Sequence, residues 1–442
     1  MKPVFKTRLF PALALCSLSA SVMALGGGGV ADNPAASVLR QVEQKAGQMV
    51  ERTIDRRLEK RAEAQADVVR QGLAALPAIL PIHTTNGRIG FNDTLLEDGS
   101  RAVERQWLVT GTGPEVASLD RPGITVLERR ELAGLGMMVV RFRVSPELDS
   151  REALKTAIPG LANRLDRNHI YAPQARAASA ETETPQWRSL CTIPVRVGMV
   201  DTAIATDHPA METARIVQQR FLDLGDVDGR LKEPESHGTA VASLMVGSRE
   251  NQWSARLPKA RVFNASVFYS RDRHLSGATL EHLLEGLNWL AAQDLSVINI
   301  SLAGPDNRLL ATAVNNLRKQ DILLVAAVGN QGPAAPPLYP AAYPEVVGVT
   351  AVDGSGKLYR WANRGEQVMF AGPGVSVPVA HPENGMVADS GTSLAAPVIA
   401  AALACRSADY PADQALEALI REARDLGEQG RDSRFGHGFL NF

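Results

Sequence analysis

Over residues 187–442 the chain alternates short, nearly unbroken apolar runs with longer stretches whose apolar residues recur at helical spacing. The runs "VRVGMVD", "RVFNASVF", "SVINISL" and "DILLVAAVGN" predict strands buried on both faces, the pattern of a parallel sheet. Between them, "GTAVASLMVG" and "TLEHLLEGLNWLAAQ" predict helices. Strands that alternate with helices imply an α/β fold with a doubly wound, mostly parallel sheet.

Upstream the pattern changes. Residues 106–173 read as a strand at "QWLVTG", a short helix near Glu115, strands at "ITVLERREL" and "GMMVVRFRV", a helix at "DSREALKTAI" and a last strand at "NRLDRNHIYAP". That β-α-β-β-α-β order predicts a small α+β, ferredoxin-like unit. The tract 174–186, "QARAASAETETPQ", has almost no large apolar residue and reads as an exposed linker open to proteolysis. Earlier still, Leu39, Val42, Ala46, Met49, Leu58, Val69, Leu73 and Leu76 keep close to a helical period and predict a helical segment within 31–80, stopped near Pro77. One helix over 37–76 would be about 60 Å long. Packing on its own chain and contact with a partner surface both remain open for it.

Residues 1–24 place Lys2, Lys6 and Arg8 before an apolar run that ends in small residues and "GGGG". This is the pattern of a cleaved secretory signal, so export to the periplasm or the extracellular space is expected. No other apolar run is long enough to span a bilayer, and no stable transmembrane anchor is expected. Removing the signal removes Cys16 and leaves Cys191 and Cys405, for which one disulfide and two separate buried thiols are both open. A chain of 442 residues, 45% hydrophobic and 21% charged, suits a soluble protein of two or three domains. Its formal net charge of -1 gives no field to gather nucleic acid, which is therefore not expected as a partner.

In a doubly wound sheet the reactive crevice lies at the carboxyl ends of the strands. Asp201 ends one strand run, Asn330 ends another, and His237 and Ser393 each open a helical run. A serine hydroxyl attacks a carbonyl only when a base removes its proton, and that base needs an orienting carboxylate. His237 and Asp201 supply those two groups to Ser393. The Asn330 amide and the Ser393 backbone N–H at a helix start would donate to the developing oxyanion. Gly238, Gly329 and Gly391 fit tight turns beside these residues, and Pro397 is expected in the first helical turn, where its missing N–H has no cost.

The order Asp, His, Asn, Ser, with "VDTAIATDHPA", "SHGTAVASLMVG", "VAAVGNQG" and "SGTSLAAPVIA" around them, makes residues 187–442 resemble a subtilisin-family serine protease, a subtilase. The resemblance implies a triad of Asp201, His237 and Ser393 with Asn330 as oxyanion donor. It also implies a substrate channel along Ser301, Leu302, Ala303, Gly304, Ala326, Ala327, Val328 and Gly329, and a cis Tyr339–Pro340 bond. Residues 106–173 are similar to the inhibitory propeptide of that family, whose tail lies in the active site. Thus an endopeptidase made as an autoinhibited precursor is expected, a monomer acting on polypeptide substrates, with no cofactor. Ala203 departs from the family's glycine, Leu394 from its methionine and Val328 from a common alanine, the last expected to narrow the pocket before the cut. The loop 223–229, "DLGDVDG", lacks the twelfth-position acid of a calcium loop, so calcium remains open there. Two rivals stay open: a binding protein that has kept the fold and lost catalysis, and a tether formed by the helical segment.

Overall fold

A computed structural model describes residues 76–173, 179–181, 187–225, 227, 229–249, 252–271, 275–383 and 385–442, all within one compact unit that spans Arg57–Phe442. The expected signal at 1–24, the helical segment up to residue 75 and most of the linker lie outside the described residues.

The first layer contains strands β1 (Ile79–His83), β2 (Ile89–Leu95), β3 (Arg101–Thr110), β4 (Ile124–Leu132), β5 (Met137–Val144) and β6 (Leu165–Pro173), with the short helix α1 (Arg151–Ala157). Ser150 caps α1 by accepting from Ala153 N. The pairings β4–β5, β5–β3 and β3–β6 are all antiparallel. One face of this sheet carries its own core, with Trp107, Phe142, Leu154 and Leu165 buried together. The other face sends Leu108, Met137 and Val139 into the main domain. The hairpin β1–β2 and the start of β3 lay outside the predicted unit, and the end of the expected helical segment at residues 79–80 is strand instead. Pro77 ends any helix, and Ile82 and Phe91 face each other across the hairpin to bury on Leu222, Leu224 and Tyr269.

The expected linker contributes a short strand, β7 (Ser179–Glu181). Ser-Ala-Glu has no apolar pattern to announce it, because backbone hydrogen bonds to a neighbouring strand are enough to form it.

The main domain is built on β8 (Arg196–Asp201), β9 (Arg215–Arg220), helix α2 (Ser236–Val246), β10 (Arg261–Ser266), β11 (Tyr269–Ser270), β12 (Ser276–Thr279) and α3 (Leu280–Ala291). It continues through β13 (Val297–Ile300), β14 (Leu302–Ala303), α4 (Arg308–Lys319), β15 (Leu323–Ala327), β16 (Val346–Val352), β17 (Phe370–Pro373), β18 (Val377–His381) and β19 (Gly385–Asp389) to α5 (Thr392–Arg406) and α6 (Ala412–Glu422). Seven strands form one sheet in the order β17-β16-β15-β13-β8-β10-β9, with every pairing parallel. Near-continuous apolar strands suit this sheet because it is covered on both sides. Alternate residues of β15 show the division: Leu323 and Val325 join the core with α2 and α5, whereas Leu324 and Ala326 join the core with α3 and α4.

Cys191 and Cys405 form a disulfide, Cα to Cα 5.9 Å, which resolves the alternatives left open by the sequence. It ties the strap before β8 to the last turn of α5. Tyr339–Pro340 is cis.

Candidate active site

Asp201 is the last residue of β8 and is fully buried. Its Oδ1 accepts from Thr202 N at 2.7 Å and from His237 Nδ1 at 2.6 Å. His237 is the second residue of α2, whose start is drawn tightly onto the end of β8. There Gly238 N donates to Thr202 Oγ1 at 2.7 Å, and a Cβ on Gly238 would lie 2.4 Å from Thr202 O. A side chain at 238 would therefore push the imidazole away from its carboxylate. Burial opposes the imidazolium, but Asp201 and, more weakly, Asp389 outweigh it, so the His237 pKa is raised above its ordinary value.

Ser393 is the second residue of α5 and is fully buried. Its backbone N–H is among the first four of the helix, which have no partner within it. The helix starts at Thr392, so Pro397 is its sixth residue, not part of the first turn as expected. An N–H at 397 would bond the Ser393 carbonyl, and that carbonyl instead accepts from Ser301 Oγ at 2.9 Å. Because β13 lies beside β8 with Ile300 opposite Val200, this bond brings Ser393 to the strand end that carries Asp201. Helices α2 and α5 also pack on each other. Among the described residues, Ser393 Oγ and His237 Nε2 are buried and make no hydrogen bond.

Asn330 follows β15. Its Oδ1 accepts from Thr392 N at 3.1 Å and from Thr392 Oγ1 at 3.0 Å, so the amide is oriented with Nδ2 as its donor end. Gly329, at φ +110°, makes the turn before it. Asn363, which no sequence signal singled out, brackets the same turn: its N donates to Gly329 O at 3.0 Å and its Oδ1 accepts from Gln331 N at 2.9 Å. Thr392 was visible in the sequence only as a neighbour of Ser393.

The expected channel divides. Leu302 and Ala303 pair antiparallel with Pro173 and Ala172 of β6. Gly304 lies against the Tyr171 ring, where an added Cβ would come within 2.4 Å, and Tyr171 OH donates to Pro305 O at 3.2 Å. Ser301 touches the Ser393 backbone, as described above. Ala326 and Val328, in contrast, are buried in the core with Leu324 on the α3 and α4 side. Val328 thus packs in this core. Ala327 alternates to the opposite face and Gly329 adjoins Asn330. Asp226 and Asp228 of the loop considered for calcium lie outside the described residues.

Known proteins resemble this chain over the main domain. A family model described as "Subtilase family" matches residues 194–438, more than half of the chain. The chain is 34% identical over 217 residues to the minor extracellular protease Epr of Bacillus subtilis (strain 168), covering 48% of this chain and 33% of that protein. It is 31% identical over 252 residues to subtilisin DY of Bacillus licheniformis, covering 56% of this chain and 89% of the relative. Thus the match spans only a third of Epr but most of subtilisin DY. Among solved structures, a serine-to-alanine mutant of the protease domain of PatA aligns with 26% identity and a TM-score of 0.47, over 56% of this chain and 92% of that one.

Proposed function

This chain belongs to the subtilase family of serine proteases, and we propose from that premise that it is an exported endopeptidase made as an autoinhibited precursor. Asp201 holds the imidazole of His237 through Nδ1, which leaves Nε2 as the base facing the reaction. As Ser393 Oγ attacks the carbonyl carbon of a peptide bond, Nε2 takes its proton, and the imidazolium then protonates the departing amine. Asn330 Nδ2 and the Ser393 backbone N–H donate to the carbonyl oxygen as it becomes negative. Water repeats the sequence on the acyl-enzyme. Nucleophile, base and oxyanion donors are all protein groups, so the reading calls for no cofactor.

The precursor reading is carried by one observation, the strand pairing on the two sides of Ser393. On one side β6 pairs with Leu302 and Ala303, the strand that follows Ser301. On the other, Glu181 and Ser179 of β7 pair with Val387 and Ala388, in the strand that leads to Ser393. The chain thus approaches the serine as an antiparallel partner and leaves as one, the way a substrate would lie, and the bond to be cut falls between Pro173 and Ser179. Two further contacts support docking of the small layer. Asn168 Oδ1 accepts from Glu281 N at the start of α3 at 3.1 Å, and Asp166 Oδ2 accepts from Arg308 N at the start of α4 at 3.2 Å. No described helix is long and apolar enough to cross a membrane.

The test is to incubate the purified full chain with a serine-directed fluorophosphonate and to sequence its new N-terminus. Label on Ser393 with a cut between 173 and 179 is expected, and both should vanish in Ser393→Ala. Label elsewhere, or an unlabelled chain that is cut only by added protease, would overturn the proposal.

A further inference from the structure

We propose that Ser301 is a positioning residue for the nucleophile: its hydroxyl replaces the helical N–H that Pro397 lacks, and so holds the first turn of α5 and Ser393 in place. The inference rests on reading Ser393 as the nucleophile. Within a helix each carbonyl accepts from the N–H four residues on, and for Ser393 that residue is Pro397. A proline there removes the donor and tends to bend the helix, and the carbonyl it abandons belongs to the reactive serine itself. Ser393 is fully buried, so its oxygen has no access to water as a substitute. Ser301 Oγ fills the gap at 2.9 Å.

The direction of that bond is set from behind. Asn299 Nδ2 donates to Ser301 Oγ at 2.9 Å, and Asn299 is itself fully buried in β13. A hydroxyl has one hydrogen to give, and with Asn299 occupying a lone pair that hydrogen goes to Ser393 O. The line therefore runs from the central sheet through Ser301 to the backbone of the nucleophile. Ser301 also precedes Leu302, where β6 pairs. One residue thus references both the serine and the substrate-like strand to the sheet.

The test compares Ser301→Ala, Pro397→Ala and the double variant in the self-processed full chain, with active serines counted by fluorophosphonate labelling. Ser301→Ala should lose about ten- to a hundredfold in kcat per labelled serine, with KM changed less than about twofold. Pro397→Ala alone should stay near wild type, and in the double variant, where an N–H again faces Ser393 O, most of the lost kcat should return. A double variant as impaired as Ser301→Ala, an unchanged kcat in Ser301→Ala, or a loss carried by KM would overturn the inference. If Ser301→Ala yields no folded protein, recovery of folded, labelled protein in the double variant supports it, and failure to recover overturns it. Ser393→Ala separates the two readings. Surviving activity there removes the nucleophile itself, whereas an inactive Ser393→Ala beside an unrescued double variant removes only the role of Ser301.

Discussion

Two charge clusters, one buried and one partly exposed, sit on opposite sides of the central sheet, and they are balanced differently. At the active site one carboxylate, Asp201, faces one imidazole, and the pair is matched. Between the small layer and α3, three carboxylates face two guanidiniums among the described residues. Arg141 Nε pairs with Glu281 Oε1 at 2.7 Å and its Nη2 with Glu128 Oε2 at 3.1 Å, and Arg130 pairs with Glu128 and Glu285. His282 on α3 adjoins them, held neutral by burial and by Arg141, with its pKa lowered to about 3. Burial, reinforced by the neighbouring carboxylates and opposed by the arginines, pushes Glu281 up to about 8 and Glu285 up to about 7. At the matched pair the carboxylate raises the proton affinity of its imidazole. An unmatched trio takes up a proton when the two layers close on it.

The comparison is broken most strongly at the matched pair. Asp201→Asn is expected to lower kcat by about 10⁴, the scale known for the same change in a serine protease triad, while leaving the small layer docked. It should also move the surviving acid limb. His237 must be neutral to act, so activity rises with pH through its pKa, and removal of the chief group raising that pKa shifts the limb downward in a pH–rate profile. Asn330→Ala touches neither charge and should cost about 10²–10³ in kcat, the magnitude known for the oxyanion asparagine of subtilisin.

At the interface, Arg141→Gln leaves Glu281 and Glu128 facing each other without their shared cation. Docking should weaken by about 3–5 kcal/mol, read as the cleaved small layer separating from the main domain in gel filtration. In the wild type, pH acts with a definite sign. The docked state holds Glu281 and Glu285 above the 4.5 of a free glutamate, so it binds more protons than the separated state. His282 opposes this below its ordinary 6.5, where the docked state holds it neutral, so the glutamates decide the sign from there upward and docking weakens as pH rises through 7–8. Glu281→Gln, fixed in the neutral form, should flatten that dependence and leave kcat per active serine unchanged, the smallest of these effects. Docking that tightens as pH rises through 7–8 would contradict the charge count.

Much of the site could be read along the chain because its chemistry needs specific residue types at strand ends and helix starts, and small residues beside them leave a local signature. Asp201, His237, Asn330 and Ser393 were singled out this way. Asn363 was not, since a buried amide that brackets a distant turn has no pattern of its own. Pro397 was misjudged because the first residue of a helix depends on contacts that distant neighbours set. The hairpin of β1 and β2 was missed because its apolar residues are buried by Leu222, Leu224 and Tyr269, far along the chain.

The amino-acid order determined the doubly wound sheet and the chemical types at its crevice, because apolar periodicity and turn residues act over a few neighbours. Which way each Cβ faces, that Cys191 meets Cys405, that Ser301 serves the carbonyl Pro397 leaves, and that three carboxylates share two guanidiniums were decided only by the tertiary structure. These are contacts between segments tens to hundreds of residues apart, and only the folded chain sets their distances.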